Sequence, residues 1–446
     1  METTHQGFFE KVNNWMKNSI TLRLFVIGFL MLILLIPASM IQSLIYERQS
    51  KSDEAANEIS SKWGEKQVLT GPIICVPFNR LTKLENNQWT KVRDFAYFLP
   101  EVLNIKGQLK PEIRYRGIYK TVVYGSDITI DGNFIQPDFA GWKTTDEDIF
   151  WNEAFIMLGI SDMKGIKNII NMKWNDSTIA LNPGIEAKEL LASGVSAPIM
   201  LQNTDSNLHH FSFTIQLNGS KDLSFIPLGK ETRLLLNSDW GNPSFSGAFL
   251  PDKRDISDNN FSAEWKVLHL NRNFPQKWQG TQYSLNESAF GVSLLLPVDE
   301  YQKNFRAAKY AIINIVLTFL VFFFMEILNK KRIHPIQYLL AGLALLLFYT
   351  LLLSLSEQMM FNYAYLITAL AIGLLISIYS ISIFQKMKLT IITGLLLFLM
   401  YGFIFVIIQL QDMALLVGSI GLFIVLAMVM YISRKVNWYN FNSTES

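Results

Sequence analysis

The sequence contains a single cysteine and few charged residues. Only 17% of its 446 residues are charged, compared with about 25% in an ordinary soluble domain. Cys75 has no second cysteine in the chain, so an intramolecular disulfide is excluded. The net charge of +2 argues against a nucleic-acid partner, because binding nucleic acid favours a strongly basic face. The composition therefore indicates a chain with a large apolar part.

Several motifs that carry chemistry are also missing from the sequence. It has no His-Glu-x-x-His or Cys-x-x-Cys pair for zinc, no Gly-x-Ser-x-Gly nucleophile and no phosphate-binding Walker loop. His209 and His210 are adjacent on a predicted strand, where neighbouring side chains point to opposite faces, so they would chelate a metal poorly. We therefore expect no metal, cofactor, nucleotide or catalytic residue, and we expect a protein that is not an enzyme.

Long apolar runs are what the chain does have. Residues 24–46 carry no charge, and this run is longer than the apolar region of a cleaved signal peptide and lacks an Ala-x-Ala site. Residues 307–432 are almost continuously apolar. Since about 20 helical residues cross a bilayer, we predict a first anchor at 24–46 and a five-span bundle at 307–432. The five spans are predicted near Ala308–Leu328, Ile336–Ser356, Tyr363–Phe384, Leu389–Leu410 and Met413–Ile432.

The charges between these spans predict their orientation. Cytoplasmic connections are enriched in Lys and Arg, and alternate connections of this chain follow that rule. The cationic connections carry Lys330, Lys331 and Arg332, then Lys386 and Lys388, then Arg434 and Lys435, whereas the intervening ones carry Glu357 and Asp412. We therefore expect cytoplasmic tails at 1–23 and 433–446, and residues 47–306 in the periplasm of a bacterium, attached to its inner (plasma) membrane.

The sequence pattern of residues 47–306 is typical of a β-rich domain. Apolar residues alternate with polar ones at 211–217 and again at 261–267, which is typical of strands with one buried face. We predict a hairpin turn at 218–221, a strand pair from 113–124 and 128–134, and a further turn at Asp131-Gly132. The fold class is thus a six-span α-helical membrane bundle with a large, sandwich-like exported domain between spans one and two.

Four ionisable residues at span ends are candidate functional residues of the bundle, because charges near the membrane interior are costly and often functional. Glu326 and His334 are predicted to pair at the inner face. Glu357 and Asp412 are predicted to share a polar site at the outer face that binds a lipid headgroup, an ion or a partner helix. The alternative is that all four are solvated and only mark the topology.

The exported domain has candidate residues of its own. Asp239 and Trp240 with Arg254, together with Arg272, combine the residue types of a ligand-binding surface. The alternative is that they fasten loops at the ends of strands.

Short motifs spread over nearly the whole chain carry a resemblance to a known family. They are Tyr115-Arg116-Gly117-Ile118-Tyr119, Leu158-Gly159-Ile160-Ser161-Asp162, Lys164-Gly165-Ile166, Pro227-Leu228-Gly229, Asn237-Ser238-Asp239-Trp240, Pro243-Ser244-Phe245, Leu270-Asn271-Arg272, Pro275-Gln276, Phe290-Gly291-Val292, Pro297-Val298-Asp299, Tyr301, Lys309-Tyr310-Ala311, His334-Pro335-Ile336-Gln337-Tyr338 and Ala414-Leu415-Leu416-Val417-Gly418-Ser419. Together they resemble the CreD family of bacterial inner-membrane proteins. The resemblance implies a role in cell-envelope integrity, with links to envelope stress, the β-lactam response and colicin tolerance, and it implies no known reaction.

We therefore expect a non-enzymatic inner-membrane protein whose exported domain binds or senses an envelope component. Its expected partners are the lipid bilayer and an envelope component or membrane protein. Two alternatives remain open. They are a transporter of lipid or small solutes and a membrane enzyme that acts at the outer interface of the bundle.

Overall fold

The computed structural model describes residues 20–83, 89–142, 144–201, 208–296, 300–329, 332–410 and 413–434. The chain divides into two compact units. Met1–Lys51 and Val298–Ser446 form the helical unit, and Ser52–Pro297 form the β-rich unit.

Seven α-helices occur in the described part of the chain, and six of them are long and apolar enough to cross a membrane. The exception is α2, a ten-residue helix. The predicted six-span helical membrane architecture is confirmed. The last five apolar helices begin and end within a few residues of the predicted spans, whereas the first continues beyond the predicted anchor at 24–46 to Trp63. The helices are α1 (Ile20–Trp63), α2 (Glu300–Lys309), α3 (Ala311–Leu328), α4 (Pro335–Ser356), α5 (Phe361–Phe384), α6 (Met387–Gln409) and α7 (Ala414–Ser433).

The helical unit has a core of aromatic and aliphatic side chains. Helix α4 packs against α3 and α5, and α6 packs against α5 and α3. Helix α1 joins this core through Leu34, which is 1% exposed. A Cβ atom at Gly342 of α4 would lie 2.3 Å from Leu34 Cδ1, so glycine permits the close approach of these two helices. A larger residue at this position would separate them.

The β-rich unit contains seventeen strands among the residues that the structure describes. The longest strands combine β-branched and aromatic residues with a buried face, the pattern that suits a pleated, half-buried surface. They are β1 (Gln67–Lys83), β2 (Trp89–Phe98), β3 (Val102–Arg116), β4 (Tyr119–Phe134), β5 (Phe155–Ile160), β6 (Asn171–Trp174), β7 (Ser177–Ala180), β8 (Asn182–Pro183), β9 (Gly194–Pro198), β10 (His209–Ser220), β11 (Asp222–Phe225), β12 (Glu231–Ser238), β13 (Pro243–Gly247), β14 (Lys253–Ile256), β15 (Phe261–Leu268), β16 (Lys277–Gln279) and β17 (Phe290–Leu294).

These strands form two sheets around a shared core. One sheet has the order β13-β17-β11-β1-β5-β9-β8, with β2 paired to β1 and β16 paired to β2. The other has the order β14-β15-β12-β3-β4-β10-β6-β7. Trp265 of the second sheet contacts Phe290 of the first, with ring centroids 5.9 Å apart. The two sheets bury their inner faces in a single hydrophobic cluster, so the predicted β-rich, sandwich-like architecture is confirmed.

The predicted hairpin at 218–221 is wrong. The chain does turn there, and Lys221 has a φ of 61°. However, β10 and β11 belong to different sheets, with β10 paired to β4 and β6, and β11 paired to β1 and β17. The turn residues signalled a change of direction, but they could not show that the chain crosses from one sheet to the other.

The predicted strand 113–124 is two strands. The chain reverses between Arg116 and Tyr119, where Gly117 has a φ of 60°, and β3 and β4 pair as a hairpin. The predicted turn at Asp131-Gly132 is also wrong, because both residues lie inside β4. A Cβ atom at Gly132 would lie 2.0 Å from the carbonyl oxygen of Val102. Glycine is therefore required there for close packing and does not mark a turn.

Candidate functional site

Glu326 lies in the last turn of α3 and is only 3% exposed. Its carboxylate forms a salt bridge with Arg23 of α1, at 2.8 Å between Nη1 and Oε1. The hydroxyl of Tyr338, in the first turn of α4, donates a hydrogen bond to Oε2 at 2.9 Å. A buried carboxylate is costly unless it is paired and hydrogen-bonded, and this network supplies both kinds of partner from two other helices.

His334 has a different role from the predicted one. Its Nδ1 accepts a hydrogen bond from the backbone N–H of Ile336 at 3.3 Å, and the side chain of Gln337 accepts one from the His334 backbone N–H at 3.0 Å. This reciprocal arrangement caps the N-terminus of α4, and Pro335 occupies the first helical position, where it is favoured. The structure thus gives Glu326 the partners Arg23 and Tyr338, whereas His334 satisfies the start of its own helix.

Glu326 and His334 nevertheless line the same pocket of the helical unit. It has a volume of about 440 Å³. Two arginines and the histidine face it together with apolar side chains. The lining residues are Leu22, Arg23, Val26, Ile27, Glu326, Arg332, Ile333, His334, Pro335 and Tyr338.

Glu357 lies at the opposite end of α4 and is 10% exposed. Its Oε1 accepts a hydrogen bond from the Tyr301 hydroxyl at 3.1 Å, and its Oε2 lies 4.0 Å from Nη1 of Arg48. The neighbouring Ser356 accepts a hydrogen bond from the side-chain amide of Asn304 at 2.6 Å. Asp412 lies outside the described residues, so the shared site predicted for Glu357 and Asp412 stays a prediction.

Helix α2 provides most of these contacts, and it was missed by the sequence analysis, which placed residues 300–306 in the exported domain. The structure places this helix in the helical unit. Beyond Tyr301 and Asn304, the ammonium of Lys303 lies 3.4 Å from Oε1 of Gln409, at the end of α6. Its amphipathic pattern, with Asn304, Ala307 and Ala308 buried, is the signal that could have identified it.

The candidate residues of the β-rich unit are not brought together as predicted. Trp240 donates its indole N–H to the carbonyl oxygens of Asn242 and Leu295, at 3.2 and 3.1 Å, so it ties two backbone segments. Asp239 and Arg254 are exposed. Within the described ranges, no hydrogen bond or ion pair joins these two residues.

Arg272 differs from the other three because it is buried, with 7% exposure. Its Nη2 donates to the side-chain oxygen of Gln276, and its guanidinium carbon lies 4.2 Å from the ring centroid of Phe274. Gln276 in turn donates to the carbonyl oxygen of Pro100 at 2.9 Å. Burial lowers the pKa of Arg272 to about 10, because removing the guanidinium from water disfavours its charged form.

Two nitrogens of this guanidinium, Nε and Nη1, are buried without a hydrogen-bond partner among the described residues. No carboxylate in the same part of the chain forms an ion pair with Arg272. Buried polar groups are nearly always hydrogen-bonded, so each exception needs an explanation. Trp278, which contacts Phe274, also has a buried indole N–H without a partner in the described ranges. Its ring centroid lies 6.3 Å from that of Phe274. The place of Arg272 in the fold therefore suits a ligand that brings hydrogen-bond acceptors.

Comparison with known proteins agrees with the architecture and the motifs. The family model described as "Inner membrane protein CreD" matches residues 19–439. The chain is 33% identical over 416 residues to the inner membrane protein CreD of Escherichia coli strain K12, covering 92% of each chain. With six apolar helices in the described residues and a β-rich unit between the first and second of them, this chain belongs to the CreD family of inner-membrane proteins.

Proposed function

We propose that this protein supports the integrity of the cell envelope by binding an envelope component through its β-rich unit. In this proposal the β-rich unit is periplasmic, both termini are cytoplasmic, and the helical unit anchors the protein and relays the bound state. The cationic connections at 330–332, 386–388 and 434–435 support this orientation. We propose a binding role and no reaction, since the sequence contains no catalytic motif.

The observation that carries the proposal is the buried guanidinium of Arg272. A charge removed from water is costly when no opposite charge lies beside it. Arginine also binds phosphates and carboxylates through paired N–H groups, and such anionic groups are common in envelope components. The flanking residues Asn271 and Asn273 are exposed, whereas Nε and Nη1 are buried, so a ligand would have to open the cover over Arg272 to reach them. We infer that the component presents an anionic or carbonyl group to Nε and Nη1.

The test is rescue of a deletion strain under envelope stress by full-length chains. Arg272→Met should fail to rescue at normal levels of membrane-inserted protein, because the apolar side chain fills the space but donates no hydrogen bonds. Arg254→Met is the matched control, since Arg254 is an exposed arginine of the same unit. Full rescue by Arg272→Met would overturn the binding role of this residue.

The proposed orientation has a separate test. Met360, at the start of α5, is 71% exposed, and Gln385, at the other end of α5, is exposed as well. In intact spheroplasts an impermeant thiol reagent should label Met360→Cys and spare Gln385→Cys. The parent chain is the control and should not be labelled, because Cys75 is buried and burial raises the pKa of its thiol. The reverse labelling would invert the topology.

One observation favours transport as a second candidate function. Asn314 and Thr318 are fully buried in α3, and their side-chain oxygens have no hydrogen-bond partner among the described residues. The Tyr401 hydroxyl of α6 is also buried, and Asn314 lies near enough to act on it. Polar groups inside membrane bundles often mark a path for a solute. If Asn314→Leu abolished rescue while Arg272→Met preserved it, transport would be the better description.

A further inference from the structure

Two guanidinium groups face the pocket beside Glu326. Arg23 and Arg332 line it, and Glu326 is its single carboxylate within the described residues. That carboxylate already forms a salt bridge with Arg23 and accepts the Tyr338 hydroxyl. The negative charge of Glu326 is therefore already compensated by Arg23 within the wall of the pocket.

The N-terminus of α4 adds to this positive field. Helix α4 has 22 residues and begins at Pro335, which itself lines the pocket. The N-terminal end of a helix carries a partial positive charge and favours anions. Arg332 lies three residues before this helix, so its guanidinium and the positive end of the helix dipole both border the pocket.

The remaining walls are apolar. Leu22, Val26, Ile27 and Ile333 contribute aliphatic side chains. The neighbouring outer surface of α1 carries Phe25 at 72% exposure, as expected for a face in contact with lipid. A pocket that places cationic side chains next to aliphatic ones is complementary to a molecule with an anionic headgroup and apolar chains.

We propose that this pocket binds an anionic phospholipid. The phosphate contacts Arg23 and Arg332 near the positive end of the α4 dipole, while the acyl chains follow the apolar surfaces of α1 and α4. A guanidinium carries five N–H donors, so Arg23 can hold Glu326 and a phosphate oxygen at the same time. A volume of about 440 Å³ lies within the range of small-molecule sites and accommodates a headgroup with its glycerol. This site does not depend on the proposed ligand of the β-rich unit.

Free phosphate carries the same anionic group as a phospholipid headgroup, but it has no acyl chains to contact the apolar walls of the pocket. The experiment therefore compares three additions to the purified full-length protein in detergent. They are phosphatidylglycerol, the zwitterionic phosphatidylcholine, and inorganic phosphate. Bound lipid is counted by native mass spectrometry, and the unfolding midpoint is measured in parallel.

Two variants remove the site in different ways. Arg332→Gln removes an exposed cation, and we expect it to weaken phosphatidylglycerol binding about ten-fold, as for loss of one charge-assisted contact to phosphate. Val26→Trp fills the pocket without changing its charge. If Arg332→Gln does not fold, lipid binding by Val26→Trp tests the proposal instead. The matched control is Lys386→Gln, which removes an exposed cation from a different connection.

The proposal is supported if phosphatidylglycerol binds the parent and Lys386→Gln in preference to phosphatidylcholine, and binds Arg332→Gln and Val26→Trp weakly. Equal binding of phosphatidylglycerol to the parent and both pocket variants would overturn it, because the effect would then reflect bulk charge. Equal protection by inorganic phosphate would also overturn it in favour of a soluble anion.

Discussion

The helical unit and the β-rich unit each bury a charged side chain, and the two side chains differ in whether an oppositely charged partner lies beside them. Glu326 is 3% exposed and has a salt bridge to Arg23 and a hydrogen bond from Tyr338. Arg272 is 7% exposed, and it has an amide and an aromatic ring as neighbours but no carboxylate among the described residues. The first charge is neutralised where it lies, so it can hold helices together. The second has two guanidinium nitrogens without a hydrogen-bond partner among the described residues, and the proposed envelope component would supply the missing acceptors.

The largest expected effect is at Glu326. Replacing it by alanine leaves Arg23 partly buried without its counter-ion, and loss of one member of a buried pair costs about 3 kcal/mol or more. We expect the free energy of unfolding of the detergent-solubilised protein to fall by about that amount. It can be measured as a shift of the thermal midpoint.

The double variant Arg23→Met with Glu326→Met is the control for this effect, because it removes both charges together. It should recover most of the lost stability. A single variant as stable as the parent would show that the pair is not structural.

The opposite sign is expected at Arg272. Replacing an uncompensated buried cation by an apolar residue of similar length is often neutral or stabilising, by about 1–2 kcal/mol. For a unit of this size the unfolding midpoint of Arg272→Met should stay the same or rise by about 2–4 °C per kcal/mol. Arg254→Met should leave the midpoint unchanged. A fall of several degrees in Arg272→Met alone would make Arg272 a structural residue and remove the contrast with Glu326.

A smaller effect is expected at Tyr338. Tyr338→Phe keeps the ring and removes only the hydrogen bond to Glu326, so it should cost about 0.6–1 kcal/mol. The thermal midpoint of the single variant is compared with that of Tyr338→Phe in a Glu326→Gln background. Equal losses in both backgrounds would mean that the hydroxyl does not act through Glu326.

The smallest effect is expected at an ion pair of the β-rich unit, between the exposed Lys91 and the buried Asp148. The Lys91 ammonium, followed by the Thr145 hydroxyl, lowers the pKa of Asp148. A lowered folded-state pKa adds stability above the usual aspartate pKa of about 4, and that stability is lost as the pH falls through the folded-state value. Asp148→Asn should therefore unfold slightly earlier than the parent at pH 7, and the gap between them should narrow as the pH falls below about 4. A gap that does not change with pH would contradict this origin.

Local hydrophobicity was enough to predict the spans, because a helix that crosses a bilayer is defined by its own length and composition. It could not predict which spans form the core. The most apolar windows of α3 and α7 have nearly equal mean hydropathy, 2.5 and 2.6, yet 56% of one window and 6% of the other are buried. Burial within a bundle depends on neighbours that are distant in sequence.

The candidate residues show the same limit. Glu326 was found from its position in a span, but its partner Arg23 is 303 residues away, and no local pattern connects them. Arg272 was selected as a surface residue and is in fact buried, because the polarity of a residue does not reveal how the chain folds over it. Helix α2 was missed because its amphipathic pattern extends over only ten residues and directly precedes an apolar span, so it was not separated from the exported domain.

The separation in sequence between Arg23 and Glu326 also affects how the protein assembles while it is being synthesised. A ribosome adds about 5–20 residues per second, so the 303 residues between them take about 15–60 seconds to synthesise. During that time α1 must persist in the membrane with an arginine whose counter-ion does not yet exist. The β-rich unit, which is translated in this interval, can complete its fold before the helical bundle packs against α1. Assembly of the bundle is therefore a late event set by translation, and a chain stalled before α3 begins at Ala311 would have α1 as its one membrane anchor.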